Sequence, residues 1–156
     1  MEEFAILHIE DSSDDAFLFQ RAWKKAGATR SLQLVSTAEA AAEYLEGKGP
    51  YADRKAHPLP CVIVMDGHIG RGGGTVGGGS GFLRWLREHQ RFRTLPVVVL
   101  TGSSYRREID EAYIAGANSV LLKPTCVEEF ERTVGLLKAY WLELNQWPSE
   151  CQAKGH

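Results

Sequence analysis

Short apolar runs alternate along the chain with longer stretches in which apolar residues recur at helical spacing. Uninterrupted runs of this length are typical of strands buried on both faces, and they occupy residues 4–9, 32–35, 61–65, 97–100 and 119–122. Helical spacing follows the runs, as at Phe19, Ala22, Trp23 and Ala26, which stand at i, i+3, i+4 and i+7. The pattern predicts an α/β protein with a five-stranded parallel sheet, doubly wound, and helices on both faces.

Glycines suggest where the later elements begin and end. Gly116 is predicted to end the fourth helix, and the fifth helix is predicted to run to about Asn145. Residues 67–81 are rich in glycine, whose backbone entropy opposes ordering, so this stretch is predicted to be a mobile insertion. We expect one domain over residues 1–147 and a polar tail over residues 148–156.

Charge and hydropathy exclude two classes of partner. The formal net charge is −2, which gives no basic surface for DNA or anionic lipid. No apolar run approaches the roughly 20 residues that a membrane-spanning helix needs. The acidic start at Met1, Glu2 and Glu3 is the opposite of a secretory signal. The protein is therefore expected in the cytoplasm, without DNA binding or membrane insertion.

The cysteines do not indicate a metal centre. Cys61, Cys126 and Cys151 are odd in number and lack the paired spacing of a zinc site. We expect Cys61 and Cys126 to be small buried thiols and Cys151 to lie in the tail. Free thiols of this kind fit a reducing compartment.

Polar residues stand where the predicted strands end, which is where ligands bind in a parallel α/β sheet. Successive strands are followed by Glu10 and Asp11, by Asp66, by Thr101 and by Lys123. Carboxylates that lie close together repel one another unless a hard cation bridges them, and oxygen ligands suit Mg²⁺. The sequence therefore predicts a magnesium site at Glu10, Asp11 and Asp66.

The same set predicts a phosphoryl acceptor. With Mg²⁺ neutralising charge, the Asp66 carboxylate can attack a phosphoryl donor and form an acyl phosphate. Lys123 would hold one phosphoryl oxygen and Thr101 another. Each residue also has an ordinary alternative, since Asp11 could cap the first helix, Thr101 could cap the fourth helix and Lys123 could be a surface charge. Their joint occurrence favours the site.

These residues resemble the signature positions of response-regulator receiver domains, over about residues 4–141. The motifs that carry the resemblance are Glu10-Asp11, Asp66, Thr101-Gly102 and Lys123-Pro124. The resemblance implies a flavodoxin-like (βα)5 fold and a signalling protein rather than an enzyme, which takes and hydrolyses its own phosphoryl group. The implied roles are metal ligation by Glu10, Asp11, Asp66 and the backbone carbonyl of His68, phosphoryl acceptance by Asp66, a switch hydroxyl on Thr101, and phosphate contact by Lys123. A cis Lys123–Pro124 bond is implied as well.

Other segments resemble a subgroup of small stand-alone regulators, some of which serve phytochrome-type kinases. These segments are Gly116-Ala117-Asn118 and Tyr140-Trp141. The implied partners are a sensor histidine kinase or a histidine phosphotransfer protein, and a downstream protein that docks on the fourth helix, fifth strand and fifth helix. We expect no DNA-binding segment after residue 148. Tyr140, Trp141 or Trp147 could form a homodimer, although Trp141 is predicted to pack in the core.

The chain also departs from the receiver pattern. Gly70 stands where receivers usually have proline. Receivers also have a glycine a few residues after that proline, and here Gly81 takes its position, farther from Asp66 than is usual. Val120 replaces a switch aromatic, so the signal is expected to pass through the Thr101 loop and the following helix, with Tyr105 as a substitute reporter.

Two other functions remain open at this point. One is a receiver-shaped adaptor that binds its partner without phosphorylation. The other is a phosphatase of the haloacid dehalogenase kind, which needs a second aspartate two residues after its nucleophile as general acid. This chain has His68 there.

Overall fold

The structure is a computed structural model that describes residues 5–28, 31–69 and 78–148. Its strands are β1 (Ala5–Ile9), β2 (Ser31–Val35), β3 (Pro60–Asp66), β4 (Val97–Thr101) and β5 (Ser119–Leu122). Its α-helices are α1 (Ser13–Lys25), α2 (Ala38–Glu46), α3 (Gly78–Glu88), α4 (Arg106–Ala115) and α5 (Val127–Lys138). A 3₁₀ turn covers Gly49–Tyr51, and a π-helical segment over Ala139–Leu144 extends α5.

All five strands form one parallel sheet in the order β2-β1-β3-β4-β5. This arrangement confirms the predicted doubly wound fold. In its register Asp66 lies opposite Leu100, and Thr101 lies opposite Leu122. The residues at the carboxyl ends of β3, β4 and β5 therefore meet at one edge of the sheet, which also receives the end of the neighbouring β1.

Two apolar layers cover the sheet, one on each face. Along β1, Leu7 and Ile9 belong to the layer under α2 and α3, whereas Ile6 belongs to the layer under α1 and α5. His8 also lies on the α1 side, where its ring centroid is 4.3 Å from that of Phe19. Burial lowers the pKa of His8 to about 3, so this imidazole is neutral at physiological pH. Helices on both faces explain why the strands read as continuous apolar runs.

The first residues of α1 and α4 test whether Asp11 and Thr101 act as helix caps. The hydroxyl of Ser12 caps α1 by accepting a hydrogen bond from the Asp15 amide at 3.3 Å. Tyr105 occupies the capping position of α4. Capping of α1 by Asp11 and of α4 by Thr101 are therefore both wrong, because the residues in the capping positions are Ser12 and Tyr105.

Two further predictions are corrected. Cys126 is exposed, because it precedes α5 at the surface, while Cys61 is buried as expected. Cys151 lies outside the described residues. No cis peptide bond occurs in the described ranges, so the Lys123–Pro124 bond is trans. Trans is the lower-energy isomer of such bonds by roughly 0.5–1 kcal/mol.

The predicted insertion and tail fall partly outside the described ranges. Residues 67–69 form a turn after β3, and residues 78–81 begin α3. Residues 70–77, which include Gly70, lie outside the described part, as do residues 149–156 of the tail. Within the described ranges, no helix has the length and hydropathy needed to cross a membrane.

Arg87 joins α3 to the loop that precedes β4 and to the loop that precedes β5. Its Nε donates a hydrogen bond to the Gly116 carbonyl at 2.8 Å, and its Nη2 donates to Asn118 Oδ1 at 2.8 Å. Its Nη1 donates to the carbonyls of Arg93 and Leu95 at 2.8 and 2.7 Å. Burial lowers the pKa of the Arg87 guanidinium. Gly116 has φ 120°, and a Cβ there would lie 2.6 Å from Arg87 Cγ, so both the backbone and the packing require glycine.

Replacing Arg87 by Met should lower the free energy of unfolding by about 2–4 kcal/mol, because several carbonyl acceptors would lose their donor. The neighbouring Arg84 is exposed on the same helix, so Arg84→Met should change it by less than about 0.5 kcal/mol. Urea unfolding followed by tryptophan fluorescence measures both variants. Equal stabilities of the two variants would contradict a structural role for the Arg87 hydrogen bonds.

Candidate functional site

Three carboxylates meet at the carboxyl edge of the sheet. Glu10 and Asp11 follow β1, and Asp66 is the last residue of β3. One carboxylate oxygen from each lies within 4.8 Å of the others. Glu10 and Asp66 are buried, whereas Asp11 is exposed. The structure thus brings together the three acids that the sequence predicts as metal ligands.

Glu10 shows how much negative charge this edge carries. Its Oε1 accepts a hydrogen bond from the Ser12 amide at 3.2 Å, and its Oε2 accepts one from Lys123 Nζ at 3.1 Å. Burial raises the pKa of Glu10, and the charge of Asp66 raises it further, against the opposing effect of Lys123. One ammonium therefore does not balance the site.

Lys123 faces three carboxylates. Its Nζ lies 3.1 Å from Glu10 Oε2, 3.0 Å from Asp15 Oδ2 and 3.2 Å from Asp66 Oδ1. Burial alone would lower the pKa of the ammonium, but the hydrogen bond to Asp15 and the charges of Asp66 and Glu10 outweigh burial and raise it. Lys123 is therefore a permanent positive charge and not a surface lysine.

One buried oxygen of Asp66 lacks a hydrogen-bond donor among the described residues. Asp66 Oδ1 is close enough to Lys123 for an ion pair, yet it accepts no hydrogen bond from any residue that the structure describes. A buried carboxylate oxygen without a hydrogen-bond donor is costly unless another positive group binds it. Neighbouring acids offer only further oxygen ligands, which Mg²⁺ prefers. The residues present therefore fit a hard divalent cation.

Thr101 lies against the loop that follows Asp66. Its side chain is buried, and its Oγ1 accepts a hydrogen bond from the Ser103 amide at 3.1 Å. A Cβ at Gly67 would lie 2.9 Å from Thr101 Cβ and 3.0 Å from its Oγ1. Glycine at position 67 is thus what allows the hydroxyl to approach the Asp66 loop. His68, next in that loop, is half-buried.

Two contacts could not be found from the sequence, one at this edge and one between α4 and β5. From the sequence, Asp15 is an acid in the first turn of a helix, where its charge would interact favourably with the helix dipole. In the structure it binds Lys123. The Oη of Tyr113 on α4 accepts a hydrogen bond from the Val120 amide at 3.2 Å. Tyr105, the expected reporter, is 75% exposed. Tyr113 therefore links α4 directly to β5.

A groove lies between β5 and α5 on the face expected to dock partners. It has a volume of about 640 Å³ and is lined by Asn118, Ser119, Leu121, Thr133, Leu136, Leu137, Tyr140 and Trp141. Leu136 and Tyr140 are exposed, whereas Trp141 packs against the apolar layer under α1 and α5, as predicted. Trp147 is partly buried against both layers.

Known proteins are similar to this chain over nearly its whole length. No family model matches it. The chain is 33% identical over 150 residues to the probable methanogenesis regulatory protein FilR2 of Methanothrix harundinacea, with 94% of this chain and 89% of that protein covered. It is 26% identical to the response regulator Rcp1 of Synechocystis sp., with 92% of each covered.

Solved structures that are similar to this chain are also response regulators. Response regulator RPA3017, in red light signalling of R. palustris, is similar with a TM-score of 0.84 at 27% identity, over 93% of this chain and 98% of that one. The Mn²⁺-bound form of response regulator Rcp1 is similar with a TM-score of 0.75 at 26% identity, over 93% of this chain and 99% of that one.

Replacing Asp11 or Asp66 by Asn should weaken Mg²⁺ binding by at least about 10-fold, the loss that even outer-shell substitutions cause at metal sites. Isothermal titration calorimetry with MgCl₂ measures the affinity. Asp14 is an exposed acid close in sequence that does not belong to the cluster, so Asp14→Asn should bind Mg²⁺ as wild type does. Equal affinities in all variants would show that the cluster is not the binding site.

Proposed function

The chain belongs to the response-regulator receiver family, and on that basis we propose that Asp66 is its phosphoacceptor. The observation that carries this assignment is the state of the Asp66 carboxylate. It is buried, it lies 3.2 Å from the Lys123 ammonium, and its Oδ1 has no hydrogen-bond donor among the described residues. The protein thus acts as a phosphorylation-controlled component of two-component signalling.

Phosphorylation is a single displacement at phosphorus. A carboxylate oxygen of Asp66 forms the new bond to phosphorus, and the bond to the donor's leaving group breaks, with the electron pair departing on that group. Lys123 remains protonated and offers its charge to one phosphoryl oxygen. The Thr101 hydroxyl accepts from Ser103 and can donate its own proton to another phosphoryl oxygen.

Receiver domains bind Mg²⁺ at an acidic site, and the chemistry of the acids here supports the same cation. When bound, Mg²⁺ supplies positive charge to the phosphoryl oxygens during transfer. The groups that would hold it are the carboxylates of Glu10, Asp11 and Asp66 and the backbone carbonyl of His68. We also propose that the acyl phosphate is hydrolysed at the same site, which returns Asp66 to its free state.

Response regulators interact with histidine kinases and with downstream targets. For this chain we propose a sensor histidine kinase or a histidine phosphotransfer protein as donor, with the exchange taking place in the cytoplasm. The surface of α4, β5 and α5 would dock a downstream protein or a second copy of the chain. Because Tyr113 joins α4 to β5, a shift of the Thr101 loop would reach this surface through α4.

Intact mass spectrometry after incubation with phosphoramidate or acetyl phosphate tests the proposal. Wild-type protein should gain one phosphoryl group, and only when Mg²⁺ is present, because the acids must be neutralised before an anionic donor can approach. Asp66→Asn should gain none.

Asp110 is exposed on α4, away from the acid cluster, so Asp110→Asn is the matched control and should be phosphorylated like wild type. No adduct on wild-type protein that binds Mg²⁺ would contradict the phosphoacceptor role and favour the adaptor hypothesis. An adduct that persists in Asp66→Asn would place the acceptor elsewhere.

A further inference from the structure

Asp15 differs from the other two acids around Lys123. Glu10 and Asp66 side chains are 2% and 6% exposed, while that of Asp15 is 45% exposed. Asp15 stands in the first turn of α1 and is not part of the described acid cluster that could hold a metal. It therefore contacts the phosphate-binding lysine without belonging to the proposed metal site.

The donors of Lys123 are limited in number. An ammonium group has three N–H donors and no acceptor. Two of them make hydrogen bonds, to Glu10 Oε2 and Asp15 Oδ2, and the ammonium also forms an ion pair with Asp66. Glu10 and Asp66 are both proposed to share their charge with a cation, and Asp66 with the phosphoryl group. Of these three acids, Asp15 is the one that lies outside the proposed metal site and does not accept the phosphoryl group.

The charge of Asp15 has two opposing effects on phosphorylation. Its negative charge repels an incoming phosphoryl group, but between unit charges in water such repulsion costs no more than about fivefold in rate. Its hydrogen bond fixes the end of a long flexible side chain, and a misplacement of about 1 Å at a reacting centre can cost about 100-fold. Orientation outweighs repulsion because Asp15 is half-exposed to water and its charge is therefore screened.

We propose that Asp15 is a positioning residue, which holds the Lys123 ammonium beside Asp66 for contact with the phosphoryl group. The inference rests on the proposed function, since it concerns how the same site handles its substrate. It assigns to the first turn of α1 a part in phosphoryl transfer besides its part in the fold. Position 15 therefore requires a side chain with an oxygen that accepts the Lys123 hydrogen bond.

The test measures the rate of adduct formation against phosphoramidate concentration, with Mg²⁺ present, for wild type, Asp15→Ala, Asp15→Asn and Asp14→Ala. Asp15→Ala should lower the maximal rate about 10-fold, with little change in the donor concentration for half-maximal rate. Asp15→Asn keeps an acceptor oxygen and should retain most of the rate.

Asp14→Ala is the matched control, because Asp14 is an exposed acid of the same helical turn and its loss weakens the helix dipole interaction equally. It should react like wild type, which separates the loss of the Lys123 hydrogen bond from the loss of a charge at the start of the helix. A rate for Asp15→Ala equal to or above that of wild type would overturn the positioning role, as would an Asp15→Asn variant as slow as Asp15→Ala. If wild type itself formed no adduct, the proposed function would fail and this inference with it.

Discussion

The repulsion among three carboxylates at one edge of the sheet is the constraint on which the site depends. Two of these acids, Glu10 and Asp66, are buried, and the raised pKa of Glu10 records the cost. Lys123 relieves part of that cost and leaves a buried Asp66 oxygen without a hydrogen-bond donor among the described residues. The site therefore carries excess negative charge, which a divalent cation can neutralise. Once it is neutralised, an anionic phosphoryl group can approach Asp66.

The parallel sheet produces this arrangement without any special loop. Because β1 and β3 are neighbours at the centre of the sheet, the acids that follow them are forced together. The register of β3, β4 and β5 brings Thr101 and Lys123 to the same edge. Gly67 adds the local requirement, since any larger residue would push the Asp66 loop away from Thr101. The chemistry is thus a consequence of topology and one glycine.

Much of this could be predicted from the sequence, because strand ends are visible as polar residues that follow apolar runs. Glu10, Asp11, Asp66, Thr101 and Lys123 were all found in that way. Asp15 and Arg87 were not, because their partners Lys123 and Asn118 lie on elements far from them in the chain. Tyr113 was not, because its partner is a backbone amide of the following strand. A helical acid, arginine or tyrosine has no local pattern that reveals its partner. Cys126 was wrongly expected to be buried because its type favours the interior, whereas the start of α5 places it at the surface.

We propose that one carboxylate, that of Asp66, carries the phosphoryl group. Reduction of the phosphorylated protein with borohydride, followed by peptide mass mapping, tests it most directly, since an aspartyl phosphate is converted to homoserine at the residue that carried it. We expect homoserine at position 66 and at no other aspartate. Homoserine at position 11, or a phosphoryl group on a residue that borohydride leaves unchanged, would contradict it.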